Sequence, residues 1–377
     1  MRERFIAGLL VGVLWLGAPP APITAAGAAD APEIAGAATD TAPDYAPVTA
    51  GRRLDFPRDY GSHPEFRTEW WYITGWLTTD RGEPLGFQIT FFRAKPSASA
   101  SNPSAFAAKQ LIIAHLALCD PKRGRLWQDQ HVQRAVFGLA DAETADTDVS
   151  LDRWNLKRDK GVYQAQLAAD GFGLTLALTP TQPIMLNGAA GVSQKGPAAQ
   201  SASYYYSQPH LRVTGRVTRG SATTPVTGEA WLDHEWSSEY LDAKAVGWDW
   251  IGINLDDGSA LMAFQIRGAD GAARWAGGSW RSASGQLEIL GSAAVSFLPE
   301  HRWESPRTGI VYPIEWRVRA GAHDYELKPL IPDQENDTRL STGAIYWEGA
   351  VSAYEGTRLA GHGYLELTGY GTPLALP

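Results

Sequence analysis

WYITGWLTTDRGEPLGFQI, residues 71 to 89, reads as a strand, a turn and a second strand. Aromatic and β-branched residues flank the cluster Asp80, Arg81, Gly82 and Glu83, which is polar and carries the glycine that a tight chain reversal uses. The same arrangement returns in WDWIGINLDDGSALMAFQI, residues 248 to 266. The two stretches superpose without a gap at an offset of 248 − 71 = 177, with identities Trp71/Trp248, Gly75/Gly252, Asp80/Asp257, Phe87/Phe264, Gln88/Gln265 and Ile89/Ile266. Recurrence over that length argues for duplication of a whole domain rather than a solenoid. Two tandem β units are expected, one over residues 51–242 and one over residues 243–377.

The rest of the chain repeats the hairpin theme. Short runs rich in Val, Ile, Leu, Thr, Trp and Tyr alternate with Gly, Pro, Asp and Asn, as in QLIIAHLALCDPKRGRLW, GVYQAQLAADGFGLTLALTP and HLRVTGRVTRG. No segment sustains the i, i+3, i+4, i+7 spacing of an amphipathic helix. The class is therefore all-β. An antiparallel sheet of this size avoids exposed edges by closing on itself, and the expected architecture is two tandem lipocalin-like antiparallel β-barrels packed against each other. Strand alternation puts Trp71, Ile73 and Leu77 on one side and Trp70, Tyr72 and Trp76 on the other. Both sides are apolar, as expected where one faces a barrel interior and the other a second barrel. The aromatics would form a wall shared by the two units.

Composition narrows the partners. The 377 residues are 44% hydrophobic and carry a formal charge of −8, so nucleic acid is not an expected partner. Arg2 and Arg4 precede an apolar run from Phe5 to Leu16 and small residues with A-x-A sites ending near Ala28, which reads as a signal peptide over residues 1–28. Residues 29–50, rich in Ala, Pro, Thr and Asp, read as a disordered linker. No later segment approaches the ~20 apolar residues of a spanning helix, so the chain without its leader is expected to be periplasmic or secreted and not membrane-spanning. The single cysteine, Cys119, has no partner for an internal disulfide.

The sharpest polar cluster is GEAWLDHEWSSEYL, residues 228 to 241, where Asp233, His234 and Glu235 lie between Trp231 and Trp236. An imidazole or carboxyl held among indoles is partly desolvated, which moves its pKa toward the neutral form and suits it to proton transfer. The same residues could instead cap a turn and bind backbone groups. In an extended strand Asp233 and Glu235 share one side, His234 and Trp236 the other. His115, inside QLIIAHLALCD, points either into a lumen or into a satisfied core site. Glu69 would pair with Arg67 or with Arg93. The motifs of zinc, hydrolase-elbow and phosphate-loop chemistry are missing, and DQEND (Asp333 to Asp337) reads as an exposed acidic turn rather than a calcium loop. No cofactor or metal is expected.

FRTEWWYITGWL (66 to 77), SYYYSQPHLRVTGRV (203 to 217), GEAWLDHEWSS (228 to 238), GWDWIGINLDDGSALMAFQIR (247 to 267), YWEGAVS (346 to 352) and GYLELTGY (363 to 370) together resemble the carotenoid 1,2-hydratase (CrtC-like) family and its AttH-like, "predicted secreted hydrolase" relatives. The resemblance implies two packed lipocalin-like barrels with a cleft or lumen for a long hydrophobic molecule. It also implies, in the hydratases, an acid among aromatic rings that face a cation. His234 and Trp236 match the family's site region. Between Gly258 and Arg267 this chain has no Tyr or Asp, where hydratases of the family place an acid; Asp233, Glu235, Glu69 or Asp249 would have to substitute.

The expectation drawn from these residues is a protein binding an elongated hydrophobic ligand (isoprenoid, polyene or lipid), with service to envelope transport beside an ABC-type permease as a partner role. The alternative is a cofactor-independent hydratase, isomerase or hydrolase. Asp233, His234 and Glu235 are the candidate catalytic residues, and Glu69, Trp71, Tyr72, His115, Trp236, Trp248 and Trp250 the candidate ligand-binding residues. A mainly apolar cavity would favour binding; a buried carboxyl pointing into it would favour catalysis.

Overall fold

The computed structural model describes residues 45–97, 102–104 and 106–374; residues 1–28, expected to be a signal peptide, and residues 29–44 of the expected linker lie outside them. The described chain is all-β and forms two antiparallel sheets. The first contains β1 (Thr68–Thr79), β2 (Pro84–Ala94), β3 (Leu111–Asp120), β4 (Arg125–Arg134), β5 (Ala140–Ala142), β6 (Asp148–Leu151), β7 (Trp154–Asp159), β8 (Val162–Ala169), β9 (Phe172–Pro180), β10 (Met185–Leu186), β11 (Val192–Gln194), β12 (Ala202–Arg219) and β13 (Ala222–Ser237). The second contains β14 (Ala245–Leu255), β15 (Ala260–Gly268), β16 (Ala273–Arg281), β17 (Leu287–Leu290), β18 (Val295–Glu304), β19 (Val311–Ala320), β20 (His323–Pro329), β21 (Glu335–Thr338), β22 (Ala344–Glu355) and β23 (Arg358–Leu367).

The strand orders correspond. The first sheet runs β4-β3-β2-β1-β13-β12-β9-β8-β7-β6-β5, and the second runs β17-β16-β15-β14-β23-β22-β20-β19-β18. In each, the opening strand pairs with the second strand on one side and the last strand on the other, and the sheet curls until its ends approach. Two lipocalin-like barrels result, packed against each other.

The two quoted hairpins hold equivalent places, but their turns align at an offset of 255 − 79 = 176. Thr79 N donates to Glu83 O at 3.0 Å and Gly82 N to Thr79 O at 2.9 Å; Leu255 N donates to Ser259 O at 3.0 Å and Gly258 N to Leu255 O at 2.9 Å. Gly82 (φ +77) and Gly258 (φ +88) take the left-handed position that L side chains avoid. The identities at 177 therefore pair residues on opposite faces, because a one-residue slip in a strand reverses every side chain. Trp71 and Phe87 pack inside the first barrel, whereas Trp248 and Phe264 pack between the barrels.

Alternation builds three layers from the same strands. Trp71, Ile73, Leu77, Phe87 and Ile89 fill the first barrel; Ile251, Ile253, Leu261, Trp316 and Trp347 fill the second. Trp70, Tyr72, Trp231, Trp250, Phe264 and Tyr364 form the layer between them, against which Trp76 packs. Burying an aromatic side chain removes roughly 150–250 Å² from water, an upper value of about 4–6 kcal/mol each at 25 cal/mol/Å². Polar ties cross the same layer: Trp76 Nε1 donates to Gly363 O (3.0 Å), Trp250 Nε1 to Tyr205 Oη (3.0 Å), and His210 N to Asn254 Oδ1 (3.0 Å).

Residues 45–50 depart from the linker expectation. Tyr45 Oη donates to Lys95 O at 2.8 Å, Thr49 N donates to Tyr204 Oη at 2.8 Å, and Ala46 and Val48 pack on the first core. Tyr45 and Val48 are anchors that the averaged composition of the stretch conceals. No helix among the described residues is long and apolar enough to cross a membrane.

Candidate functional site

A cavity opens within the aromatic layer between the barrels. It is a narrow slot with a cavity volume of about 60 Å³. Trp70, Tyr72 and Phe92 from β1 and β2 form one wall, and Trp248, Trp250 and Phe264 from β14 and β15 the other. Among these rings lie four carboxyl groups: Asp233 and Glu235 on β13, Glu348 on β22 and Glu366 on β23. Among the described residues one cation joins them, Lys195, just beyond β11.

Each carboxyl has a distinct environment. Asp233 accepts from Tyr205 Oη (2.5 Å), Ser207 Oγ (2.5 Å) and Trp231 Nε1 (2.7 Å). Burial nevertheless pushes its pKa up to about 7, against the three donors that favour the anion. Glu235 pairs with Lys195 Nζ at 2.9 Å and accepts from Ser203 Oγ. Glu348 and Glu366 are direct partners across the β22–β23 pair. Burial and the charge of Glu366 hold Glu348 well above the ordinary carboxyl range. Burial raises Glu366 to about 7, while Trp248 Nε1, donating at 2.8 Å, opposes the rise. Two carboxyls facing each other away from water do not both ionise, so at neutral pH Glu348 carries its proton. The hydroxyls of Tyr72 and Tyr346 face Glu348 and oppose its rise, but burial and the charge of Glu366 outweigh them.

Period-2 alternation sends the neighbours of these acids elsewhere. His234, between Asp233 and Glu235, points into the first barrel. There its Nε2 lies 2.9 Å from Glu69 Oε1 and its Nδ1 3.1 Å from Tyr206 Oη. Glu69 also contacts His63 Nδ1 (2.6 Å) and accepts from Arg93 Nε (2.7 Å), and His63 Nε2 reaches Asp59 Oδ1 at 3.0 Å. Burial would raise the Glu69 carboxyl, but His63, Arg93 and His234 outweigh it and hold it well below the usual range. Burial lowers His234 to about 4, so it stays neutral, donating from Nε2 to Glu69 and accepting at Nδ1 from Tyr206. His63 moves the other way: burial would lower it, yet Glu69 and Asp59 raise it. His63, Glu69 and His234 have the spacing of metal ligands. Their ligand atoms are already bonded to one another, and Arg93 and Asp59 complete the set, which describes a self-satisfied polar plug rather than a metal cradle.

The structure thus gathers Tyr72, Trp248, Trp250, Asp233 and Glu235 at the slot, and separates from it Glu69, Trp71, His234 and Trp236, which line the packed interior of the first barrel. Trp71 and Trp236 sandwich the plug: Trp236 stacks on His63 at 3.8 Å and Trp71 on His234 at 4.6 Å. His115 faces the second barrel instead of a lumen, with Nδ1 3.0 Å from Tyr346 Oη and Nε2 2.9 Å from Ser341 Oγ; it positions Tyr346, which lines the slot. Asp249 is buried against Arg267 Nε at 3.0 Å and does not reach the slot. Glu69 pairs with Arg93 and not with Arg67. DQEND is not the exposed turn expected: Glu335 to Asp337 belong to β21, Gln334, Glu335 and Asn336 are buried, and the acids are paired, Asp333 and Glu335 with Arg307 and Asp337 with Arg339. Sequence reasoning missed Lys195, Glu348 and Glu366. The last two stand in YWEGAVS and GYLELTGY, each two residues after a tyrosine on the same strand face, which was the available signal.

The AttH-like family model matches residues 47–370. A crystal structure of a protein from Nitrosomonas europaea assigned as AttH is 53% identical, covers 86% of this chain and 99% of its own, and superposes with a TM-score of 0.81. Kievitone hydratase from Nectria haematococca is 16% identical, covers 88% of this chain and 98% of its own, and has a TM-score of 0.65, a likeness of fold. None of the curated proteins matches the chain. With two lipocalin-like barrels in place and a family match over nearly all of the described residues, the chain belongs to the AttH-like family.

Proposed function

We propose that this protein is a cofactor-independent hydratase, acting in either direction on a double bond held in the slot between the barrels. The observation that carries this reading is a set of buried carboxyls, two of them raised to about 7, among aromatic walls. A site that only bound a lipid would gain nothing from four desolvated acids, each of which costs stability unless compensated. The activity named for the fungal neighbour of the same fold supports the reaction type and says nothing of this chain's substrate.

The roles follow from the protonation states. Glu348, protonated at neutral pH and lining the slot, is the proton donor to carbon or to a leaving hydroxyl. Asp233, poised near neutrality and held by three donors, is the base that takes a proton from water. Glu366, opposite Glu348, returns the proton after each turnover. The indoles exclude bulk water and face positive charge that develops on carbon. The elongated hydrophobic ligand belongs to this reading as substrate, and the periplasmic or secreted location remains part of the proposal. No particular observation favours a transport partner.

The test is a comparison of Glu348→Gln and Asp233→Asn with the parent protein. Each should lower turnover of a hydrated alkene by ~10²-fold or more, the typical contribution of a general acid or base, with ligand affinity nearly unchanged. If affinity and stability fall together while turnover per bound ligand is constant, the acids are structural and the reading fails.

A further inference from the structure

Lys195 has no part in the acid–base scheme, yet among the described residues it is the only lysine or arginine lining the slot. Its side chain is 2% exposed, and its ion pair with Glu235 uses one of three N–H donors. Its ammonium lies 4.2 Å from the Phe264 ring centroid, 4.7 Å from Tyr205 and 5.2 Å from Tyr240. Rings favour a cation but do not replace the hydrogen bonds it loses on leaving water. A group with one strong acceptor, held rigidly where a ligand enters, is pre-set to donate to an oxygen of that ligand.

Resting on the hydratase reading, we propose that the substrate is an α,β-unsaturated carbonyl compound, or its β-hydroxy hydration product, whose carbonyl oxygen is bound by Lys195. An isolated double bond has no oxygen to offer a buried ammonium, and must become a full carbocation when protonated. A conjugated carbonyl instead moves the electron pair onto oxygen. Water loses a proton to Asp233 and its oxygen bonds to the β-carbon. The π electrons shift to the carbonyl oxygen, which becomes an enolate stabilised by the Lys195 ammonium. The enolate collapses as its α-carbon takes the proton of Glu348. Glu366 relays the proton gained by Asp233 back to Glu348, so one water is added and nothing is oxidised or reduced. Glu235 fixes Lys195 in place and is a positioning residue.

The experiment uses trans-4-phenyl-3-buten-2-one and its hydrocarbon counterpart trans-1-phenyl-1-butene, which share ring and double bond and differ in the carbonyl. A donor to the carbonyl oxygen red-shifts the enone absorption whether or not water is added, so binding is read apart from turnover. The parent protein should red-shift the bound ketone and bind it at least ~10-fold more tightly than the hydrocarbon, about the least that a hydrogen bond to a charged group contributes. Lys195→Arg should keep part of the shift. Lys195→Met combined with Glu235→Gln, which avoids a lone buried carboxylate, should abolish the shift and leave hydrocarbon affinity unchanged. Equal affinity for ketone and hydrocarbon, or a red shift that survives in the double variant, would overturn the inference. Hydration of the hydrocarbon as fast as the ketone would also overturn it, while leaving the hydratase reading intact. A Lys195-dependent shift with no water added to either probe or to any other conjugated carbonyl would instead sink the hydratase reading and leave carbonyl recognition standing.

Discussion

Replacing Asp233 by Asn should flatten the pH dependence of stability by an amount that the structure fixes. Asp233 titrates at about 7 in the folded chain, against 3.8 for an unperturbed aspartate. The difference, about 3 pH units at 1.36 kcal/mol each, is about 4 kcal/mol. The sign follows from proton binding. Between pH 4 and pH 7 the folded state keeps a proton that the unfolded state has lost, so stability is greatest below about pH 4 and declines as pH rises to about 7. An asparagine side chain resembles the protonated acid in shape and charge and cannot titrate. Its altered hydrogen bonds with Tyr205, Ser207 and Trp231 shift the absolute stability but cancel when one variant is compared with itself across pH. Urea unfolding of parent and variant at pH 5, 6, 7 and 8 provides the numbers, and subtracting the two curves removes the titration of groups that do not feel the Asp233 charge, Glu69 among them. The Asp233→Asn variant should become progressively more stable relative to the parent across that interval, with a relative gain of at least about 2 kcal/mol from pH 5 to pH 8, the part of the total that falls in this window. Parallel curves would mean that Asp233 is ionised throughout with an ordinary carboxyl pKa, too weak a base for the role assigned to it in the slot.

Glu69→Gln should cost about 3–5 kcal/mol, because it leaves Arg93 and His63 buried without their carboxylate. Since the Glu69 pKa is depressed, its contribution is present above about pH 4.5 and lost as pH falls through the folded value, so the parent should have the steeper acid limb in urea titrations. Gly86→Val should destabilise by about 1–3 kcal/mol, because a Cβ at Gly86 would lie 2.6 Å from Ala350 Cβ across the barrel interface; unchanged urea midpoints would show that the barrels pack less tightly there. A conjugated ketone entering the slot should quench tryptophan fluorescence saturably, and Trp248→Phe with Trp250→Phe should remove most of that signal; an unaltered response would place the ligand elsewhere.

Much of the architecture was legible because strands encode their faces in alternate residues. The two sides of β1 and of the Asp233-to-Trp236 run could be read directly, and the inter-barrel wall followed from Trp70, Tyr72 and Trp76. The duplication was visible too, but identities among aromatic residues chose an offset one residue from the true one, and in a strand that reverses inside and outside. Glu348 and Glu366 were hidden for another reason: their meaning comes from facing each other across β22 and β23, in the same slot as Asp233. The plug was equally non-local, since His234 meets Glu69 across 165 residues. Lys195 lies outside the strands, where no periodicity marks it. Its role depends on Glu235 and three rings brought to it by the fold.

The most direct measurement is incorporation of solvent oxygen. Purified protein is incubated with conjugated alkenes and their hydrated products in oxygen-18 water, and mass spectrometry follows the gain of one labelled oxygen. Fluorescence quenching on the same samples identifies which compounds are bound. The account predicts that a bound conjugated carbonyl compound gains one whole labelled water, with oxygen-18 in a new β-hydroxyl rather than exchanged into its carbonyl, in the parent protein, and that Asp233→Asn combined with Glu348→Gln binds it without doing so. Labelling of the β-hydroxyl that persists in the folded double variant, or a panel whose members are bound but never gain a labelled β-hydroxyl, would contradict it.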